Sequence, residues 1–260
     1  LEQVVGVQLL IRSKKGITAT EAGSRLFEFC RRLFRDIETV QLQLQNLDTV
    51  AKQRIRIGTF PSIALYFWPL LQAELDEKIA LSISISTKRS REILEALVKH
   101  EIDLAITVEC FNYSHLIRHE LYEDHYAFYV QSQSKIKQLD AESARSQVLL
   151  YIPDAQDAEG KTLRQHVHGL GLNFREEFEL DSFEVINEFA RKGHGIAILP
   201  VRVAQNLGSA IRKIRCHGVP VTGIGRHRFF LSYRDDLELS QQNIDLILVA
   251  ARKAVKKLLS

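Results

Sequence analysis

The stretch SFEVINEFARKGHGIAILP, residues 182–200, joins a helix, a turn and a buried strand in one short run. Its first half predicts a helix because apolar residues recur there at spacings of three and four. These residues are Phe183, Ile186, Phe189 and Ala190. Gly193 follows where a helix commonly ends in a left-handed residue. The apolar run 196–199 then predicts a strand covered on both faces, which is typical of an α/β fold.

Outward from this stretch, strand and helix patterns alternate through the rest of the chain, as in a mixed α/β protein. A final helix, 239–259, and two strand-like runs around 116–131 complete the pattern. The predicted strands are 54–60, 80–87, 103–108, 148–152, 174–181, 195–199 and 228–234. The predicted helices between them are 61–77, 90–100 (with Ser90 as cap), 159–169 and 183–192.

A long helix over residues 18–48 precedes the α/β pattern, and Thr18 with Glu21 matches a capping box at its start. Apolar residues form a narrow seam with alternating steps of four and three, which is typical of helices that pair with another helix. The seam contains Leu26, Cys30, Leu33, Ile37, Val40, Leu44 and Leu47. A second copy of the chain is the simplest partner, and packing within the chain is the alternative.

Composition indicates an ordinary globular protein of 260 residues, with 45% hydrophobic and 26% charged residues. We find neither a signal peptide nor an apolar run of the roughly 18–20 residues that span a bilayer, so we expect a cytoplasmic protein without a membrane partner. Its three cysteines form no C-x-x-C pair, and we expect no metal and no cofactor. Basic residues exceed acidic ones by four within residues 1–56, which favours a phosphate-facing N-terminal segment or simply a solvated basic surface.

Four segments in order resemble the LysR-type transcriptional regulators. They are LEQVVGVQLLIRSKKGITATEAG (1–23), RIRIG (54–58), EIDLAI (101–106) and GHGIAILP (193–200). The resemblance implies a two-lobed, periplasmic-binding-protein-like effector domain after a linker helix and a remnant of a winged helix-turn-helix. The implied boundaries are 1–17 for the remnant, 18–50 for the linker helix and 51–260 for the effector domain. Subdomain I would hold 53–127 plus 227–260, and subdomain II 128–226, with hinge strands near 125–131 and 222–229.

The same resemblance implies DNA and a second copy of the chain as partners, in a homodimer or tetramer. Arg12, Lys14 and Lys15 would lie on the wing, where basic side chains add affinity for the DNA backbone. An ordinary solvated turn is the alternative for these residues. Because the chain starts at Leu1 and contains no Met, we expect the helices that read base edges to precede it in a longer protein.

A small-molecule effector is the other expected partner, and its site is predicted at the carboxyl ends of the strands. Hydroxyl groups gathered there suit a carboxylate or another anion. The candidates are Thr59, Phe60 and Ser62 after the first strand, Thr87 and Lys88 after the second, Thr107 on the third, and Ser182 before a helix. Ser62 and Thr87 align with effector-holding hydroxyls of the family. A helix cap remains open for Ser62, a core position for Phe60 and a surface position for Lys88.

These observations favour a ligand-responsive transcriptional regulator. A solute-binding module of the same fold is the alternative, since a fold does not fix a function. We expect no enzyme, because the sequence has no Gly-rich phosphate loop, no G-x-S-x-G motif and no cluster with metal-ligand spacing.

Overall fold

The computed structural model describes residues 1–13, 16–45, 53–75, 81–108, 113, 115–153, 155–221, 223–237 and 239–260. The chain divides into two compact units. The first contains Leu1–Arg54 with Ala80–Ser82, and the second contains Ile55–Ile79 with Ile83–Ser260.

The first unit consists of a short helix, a hairpin and a long helix. Its elements are α1 (Glu2–Val5), β1 (Leu10–Ser13), β2 (Gly16–Ala19) and α2 (Glu21–Gln45). Strands β1 and β2 are antiparallel, with Leu10 opposite Ala19. Gly23 lies so close to Leu9 that a Cβ would be 2.0 Å from the Leu9 carbonyl oxygen, so the start of α2 requires glycine there.

The capping box predicted at Thr18 is wrong. Thr18 lies in β2, where it pairs with Ile11 across the hairpin. Thr20 caps α2 instead, since its hydroxyl accepts the backbone N–H of Gly23 at 3.0 Å. The hairpin uses the backbone of Thr18 for strand pairing, and the helix can begin only after the chain has left β2.

Mixed β-structure flanked by helices forms the rest of the molecule. Its strands are β3 (Gln53–Thr59), β4 (Leu81–Thr87), β5 (Leu104–Val108), β6 (Leu116–Gln131), β7 (Gln138–Leu139), β8 (Val148–Tyr151), β9 (Glu176–Glu179), β10 (Ile196–Pro200), β11 (Ile211–Lys213), β12 (Arg215–Cys216) and β13 (Ile224–Arg234). Its helices are α3 (Pro61–Tyr66), α4 (Trp68–Glu74), α5 (Ser90–Val98), α6 (Ala141–Ala144), α7 (Leu163–Gly169), α8 (Phe183–Arg191), α9 (Val201–Asn206) and α10 (Gln241–Leu259).

The predicted two-lobed architecture is confirmed by the order of the strands. The main sheet runs β4-β3-β5-β13-β6-β10-β8-β9, with β11 on β6, while β7 and β12 pair separately. The first lobe contains β3–β5 with α3–α5 and α10, and the second contains β8–β10 with α7–α9. Strand β6 joins the lobes because its first part pairs with β13 and its last part pairs with β10. The long antiparallel strands β6 and β13 are therefore the crossing strands.

Helix α8 and strand β10 confirm the interpretation of the 182–200 stretch. Phe183, Ile186 and Ala190 are buried, and all five residues of β10 are buried. Gly193 has φ +79°, the left-handed conformation that L side chains rarely adopt. The chain can therefore reverse directly from the exposed end of α8 into the core strand.

Several predicted boundaries were wrong. One helix over 61–77 is instead the pair α3 and α4, which meet at Phe67, and Pro69 lies in the first turn of α4, where its missing N–H is tolerated. The two strand-like runs around 116–131 form one continuous strand, β6. Helix α7 starts after a capping Thr162 rather than at 159. Ser90 is the first residue of α5 and not its cap.

Candidate functional site

The two lobes meet through a pair of aromatic rings at the starts of two helices. Phe60 directly precedes α3 in the first lobe, and Phe183 is the first residue of α8 in the second lobe. Their ring centroids are 5.7 Å apart with a 55° interplanar angle. Phe60 is half-buried, so the contact lies at the edge of the cleft between the lobes.

A cavity of about 250 Å³ lies between α3 and α4 of the first lobe and α9 of the second. Ser62 is 3% exposed and lies on the wall of this cavity. Among the residues that the structure describes, none forms a hydrogen bond with the Ser62 side chain. The lining residues are Ser62, Leu65, Tyr66, Pro69, Leu70, Val203, Asn206 and Leu207. A mostly apolar chamber with one unpaired hydroxyl suits a small organic molecule.

Three other hydroxyls predicted from the sequence lie near the strand ends but are differently employed. The Thr59 hydroxyl donates to the Ile106 carbonyl at 2.9 Å and so ties β3 to β5. The Ser182 hydroxyl donates to Glu184 and accepts the backbone N–H of Val185, as expected of a helix cap. Thr107 is almost fully buried in β5. The Thr59 and Ser182 hydroxyls therefore serve the fold in this conformation.

Thr87 and Lys88 lie at the end of β4 and are exposed. The Lys88 backbone N–H donates to the Thr59 carbonyl at 3.1 Å, which holds the ends of β4 and β3 together. Neither residue is among the described residues that line the cavity. The structure brings Ser62, Phe60 and Phe183 close to the meeting point of the lobes and leaves the side chains of Thr87 and Lys88 at the surface.

The crossing strands contribute a buried carboxylate that sequence analysis missed. Asp124 on β6 is 4% exposed and accepts the backbone N–H groups of Arg202 at 3.0 Å and His125 at 2.9 Å. Arg202 is on α9, so Asp124 fastens a helix of the second lobe to a crossing strand. Burial raises the pKa of Asp124 to about 6, although the two N–H groups and the Arg202 charge oppose this shift.

Asp124 faces a buried histidine on the neighbouring strand. His227 on β13 pairs with Asp124 across the two strands, and its Nε2 is 4.0 Å from the Asp124 Oδ2, too far for a hydrogen bond. Burial lowers the pKa of His227 to about 3, and the nearby His125 contributes to this shift. The imidazole is therefore neutral at pH 7, with one nitrogen as donor and the other as acceptor.

Aromatic rings continue from the helix starts to this histidine. The Phe183 ring is 6.2 Å from that of Tyr126 on β6, and the Tyr126 ring is 4.4 Å from that of His227. Phe229 lies 5.1 Å from His227 in an edge-on arrangement and stacks on Tyr122 at 4.3 Å. We define the aromatic layer as Phe60, Phe183, Tyr126 and Phe229. It covers His227 from the side of the two lobes.

A tyrosine pair ties the cavity wall to the same crossing strand. The hydroxyls of Tyr66 on α3 and Tyr122 on β6 are 2.6 Å apart, and both side chains are buried. Burial raises the pKa of both phenols, so both are neutral and can donate. The two cavity walls are thus each hydrogen-bonded to β6, α3 through Tyr122 and α9 through Asp124.

The predicted residues of the first unit are described in part. Arg12 is exposed on β1, opposite Ile17, whereas Lys14 and Lys15 lie outside the described residues. On α2, Leu26 is half-buried, and Leu33, Ile37 and Val40 are 44%, 42% and 50% exposed. The side chain of Leu44 and all of Leu47 lie outside the described residues.

Searches for two other kinds of site returned nothing in the described part of the chain. No described helix is both long and apolar enough to cross a bilayer. No three described His, Cys, Asp or Glu side chains are arranged to hold a metal ion. Cys110, which follows β5, is outside the described residues, while Cys30 is half-buried and Cys216 is buried.

The chain is similar to known bacterial regulators. The family described as the LysR substrate binding domain matches residues 48–249. The nitrogen assimilation regulatory protein nac of Escherichia coli (strain K12) is 27% identical over 213 residues, which are 81% of this chain and 70% of that protein. The HTH-type transcriptional regulator CzcR of Bacillus subtilis (strain 168) is 21% identical over 237 residues, which are 90% of this chain and 79% of that protein.

Solved structures share the fold. A full-length single-residue variant of OxyR from Pseudomonas aeruginosa superposes with a TM-score of 0.66 at 17% identity, covering 96% of this chain and 82% of that one. Full-length CbnR in complex with its target DNA superposes with a TM-score of 0.63 at 17% identity, covering 97% of this chain and 86% of that one. Together with the match over residues 48–249, these likenesses show that the chain belongs to the LysR-type transcriptional regulators and carries their substrate-binding domain.

Proposed function

We propose that this regulator binds a small anionic effector between its two lobes and that the bound effector shifts the lobes toward their closed arrangement. The observation that carries the proposal is the buried, unpaired hydroxyl of Ser62 in a 250 Å³ cavity walled by both lobes. A molecule held there contacts α3 and α9 at once. It stabilises the arrangement in which both walls are present, because only a difference in affinity between two states can shift their populations.

The crossing strands support this proposal because they are where the lobes turn on each other. Tyr122 and Asp124 are next-but-one neighbours on β6 and hold α3 and α9, respectively. A change in the spacing of the two helices therefore acts on one short segment of one strand. We retain the boundaries expected from the sequence, with the effector domain at 51–260 and its subdomains at 53–127 plus 227–260 and at 128–226.

The first unit supports a role in DNA binding and self-association. We propose that Arg12, Lys14 and Lys15 contact the phosphate backbone from the β1–β2 hairpin, as wing residues do. We further propose that two copies of α2 pair through the seam Leu26, Leu33, Ile37, Val40, Leu44 and Leu47. Replacing Leu33 and Ile37 together with Glu should convert dimers to monomers in sedimentation experiments, and a dimer that persists unchanged would contradict the pairing.

The effector proposal is tested by thermal-shift titration of the chain with a panel of small carboxylates. Ser62→Ala and Thr87→Ala should each reduce the ligand-induced rise in melting temperature at least twofold, because each removes a hydroxyl from the predicted site. Ser146→Ala, an exposed serine in the second lobe, serves as the matched control and should leave the rise unchanged. Full ligand-induced shifts in both site variants would refute the assignment. Action in the cytoplasm and the absence of catalysis stay predictions.

A further inference from the structure

His227 is a buried polar side chain without a hydrogen-bond partner. It is 2% exposed, and neither of its ring nitrogens forms a hydrogen bond with any described residue. The backbone of Gly225 lies near enough to favour its protonation, but not in hydrogen-bonding geometry. Buried polar groups in native proteins are nearly always paired with protein, water or ligand, so an orphan group of this kind marks a place where a partner is expected.

Asp124 cannot supply that partner in this conformation. Its Oδ2 accepts the Arg202 N–H and its Oδ1 accepts the His125 N–H. Closing the 4.0 Å gap to His227 Nε2 would break the contact that fastens α9 to β6. The partner that His227 lacks must therefore come from outside the crossing strands.

The aromatic layer shows how such a partner could reach His227. Phe60 and Phe183 belong to different lobes and contact each other above Tyr126, which packs on His227. Separation of the lobes parts Phe60 from Phe183 and uncovers Tyr126 and then His227. A flat, ring-sized molecule can replace the ring contacts that are lost, because aromatic groups pack well in offset and edge-on arrangements.

We propose that His227 determines the specificity of the effector site by hydrogen-bonding an uncharged polar group, a hydroxyl or a carboxamide, on an aromatic monocarboxylate. This inference rests on the proposed function, since it assumes an effector between the lobes. It adds the effector's chemical class: one carboxylate, a ring and a neutral hydrogen-bonding group at the far end from the carboxylate.

Charge around His227 decides that this far group is neutral. The Asp124 carboxylate is 4.0 Å from Nε2, and with a pKa of about 6 it is mostly ionised at pH 7. The buried Asp157, held by His166 at 2.7 Å, is a second acidic group close enough to act on His227. A second carboxylate on the effector would meet both of these groups in a region of low dielectric, where like charges repel strongly.

The test is isothermal titration of this chain with four ring acids that differ only in the para substituent. They are benzoate, 4-hydroxybenzoate, 4-carbamoylbenzoate and terephthalate. The hydroxyl and carboxamide compounds should bind at least tenfold more tightly than benzoate, and terephthalate should bind most weakly. His227→Leu should bring the first three to equal affinity, whereas His227→Gln, which keeps a donor and an acceptor, should retain most of the preference.

His119→Leu is the matched control, because His119 is on the other end of the same strand pair and already bonds the Tyr233 hydroxyl. It should leave all four affinities unchanged. A measurement on the unaltered chain is independent of how the variants fold: the ¹⁵N resonances of the His227 ring should shift on addition of 4-hydroxybenzoate and not of benzoate.

Three outcomes overturn the inference. One is an unchanged preference in His227→Leu, and another is tightest binding by terephthalate. The third is no binding of any of the four compounds to the wild-type chain. In the first two cases the compounds still bind and the proposed function stands. In the third, the Ser62→Ala titration against the wider carboxylate panel decides whether the proposed function fails as well.

Discussion

His119 and His227 lie on the same pair of strands in opposite circumstances. His119 is half-buried, stacks on Tyr233 at 5.7 Å, and its Nε2 is 3.2 Å from the Tyr233 hydroxyl. His227 is nearly inaccessible and has ring contacts but no hydrogen bond among the described residues. The first imidazole is satisfied by the fold, and the second is satisfied only when something else arrives.

The difference teaches where stability has been given up in this molecule. A buried donor or acceptor without a partner costs roughly 1–3 kcal/mol, whereas an apolar side chain of similar shape costs nothing of that kind. The end of the strand pair near His119 is built as ordinary structure, while the end near Asp124 and His227 combines an unpaired imidazole with a raised carboxyl pKa. Such groups cluster at functional sites because a ligand can offset their cost.

The largest expected effect separates the two buried ionisable groups by their pH dependence. Asp124 has a folded-state pKa of about 6, above its usual value, so its ionisation lowers stability as pH rises from 4 to 6. His227 has a folded-state pKa of about 3, below its usual value, so stability rises with pH between about 3 and 6.5. In the wild type the two slopes oppose each other between pH 4 and 6.

Single substitutions should expose each slope. Relative to wild type, the free energy of unfolding of His227→Leu should fall by about 3 kcal/mol from pH 4 to 6, at roughly 1.4 kcal/mol per pH unit for one proton. That of Asp124→Asn should rise by about 3 kcal/mol over the same interval. Urea unfolding across this range measures both. Parallel curves for the two variants would show that Asp124 and His227 are not the groups we describe, whatever the effect of His125 and Asp157 nearby.

A smaller effect tests the comparison of the histidines directly at pH 7. His227→Leu should raise the free energy of unfolding of the ligand-free chain by about 1–3 kcal/mol, because an apolar side chain replaces two buried nitrogens without partners. His119→Leu should lower it by about 1 kcal/mol, because the bond to Tyr233 is lost. Chemical unfolding of both variants provides the readout. A large loss of stability in His227→Leu would mean that the imidazole is already paired, for example with buried water.

The smallest effect concerns two serines that differ in the same way. Ser182→Ala removes the cap of α8 and should cost about 1 kcal/mol. Ser62→Ala removes a hydroxyl that no described residue uses, and it should change stability by less than about 0.5 kcal/mol while it weakens effector binding. Thermal unfolding in the absence of ligand distinguishes the two. Equal losses would indicate that Ser62 is also a structural residue.

Most elements of the fold could be predicted from local pattern. The helix, left-handed glycine and buried strand of 182–200 were predicted correctly, because periodicity and a glycine requirement are both local properties. The errors occurred where a distant partner decided the outcome. Thr18 matches a capping pattern but is used by hairpin pairing with Ile11. The run 116–131 looks like two strands because its mixed polar residues are explained only by β13 and β10 alongside it.

The candidate site was predictable to a lesser degree. The rule that ligands bind beyond the carboxyl ends of strands led to Ser62 and Phe60, which lie where the lobes meet. It also led to Thr59 and Ser182, whose hydroxyls turn out to bond within the fold. Sequence alone offered no reason to select Asp124 or His227, since one acidic residue and one histidine in a strand are ordinary. Their importance depends on burial and on missing partners.

The sequence by itself determined the family, the α/β alternation and the helix-turn-strand unit of residues 182–200, because these depend on spacing and on residue type along the chain. Only the tertiary structure decided which polar groups are paired. Thr59 and Ile106 lie 47 positions apart in the chain, and Asp124 and His227 lie farther apart still, yet each pair faces across neighbouring strands. Hydrogen bonding and desolvation act through space at short range, so a pattern along the chain cannot show which buried group has been left without a partner.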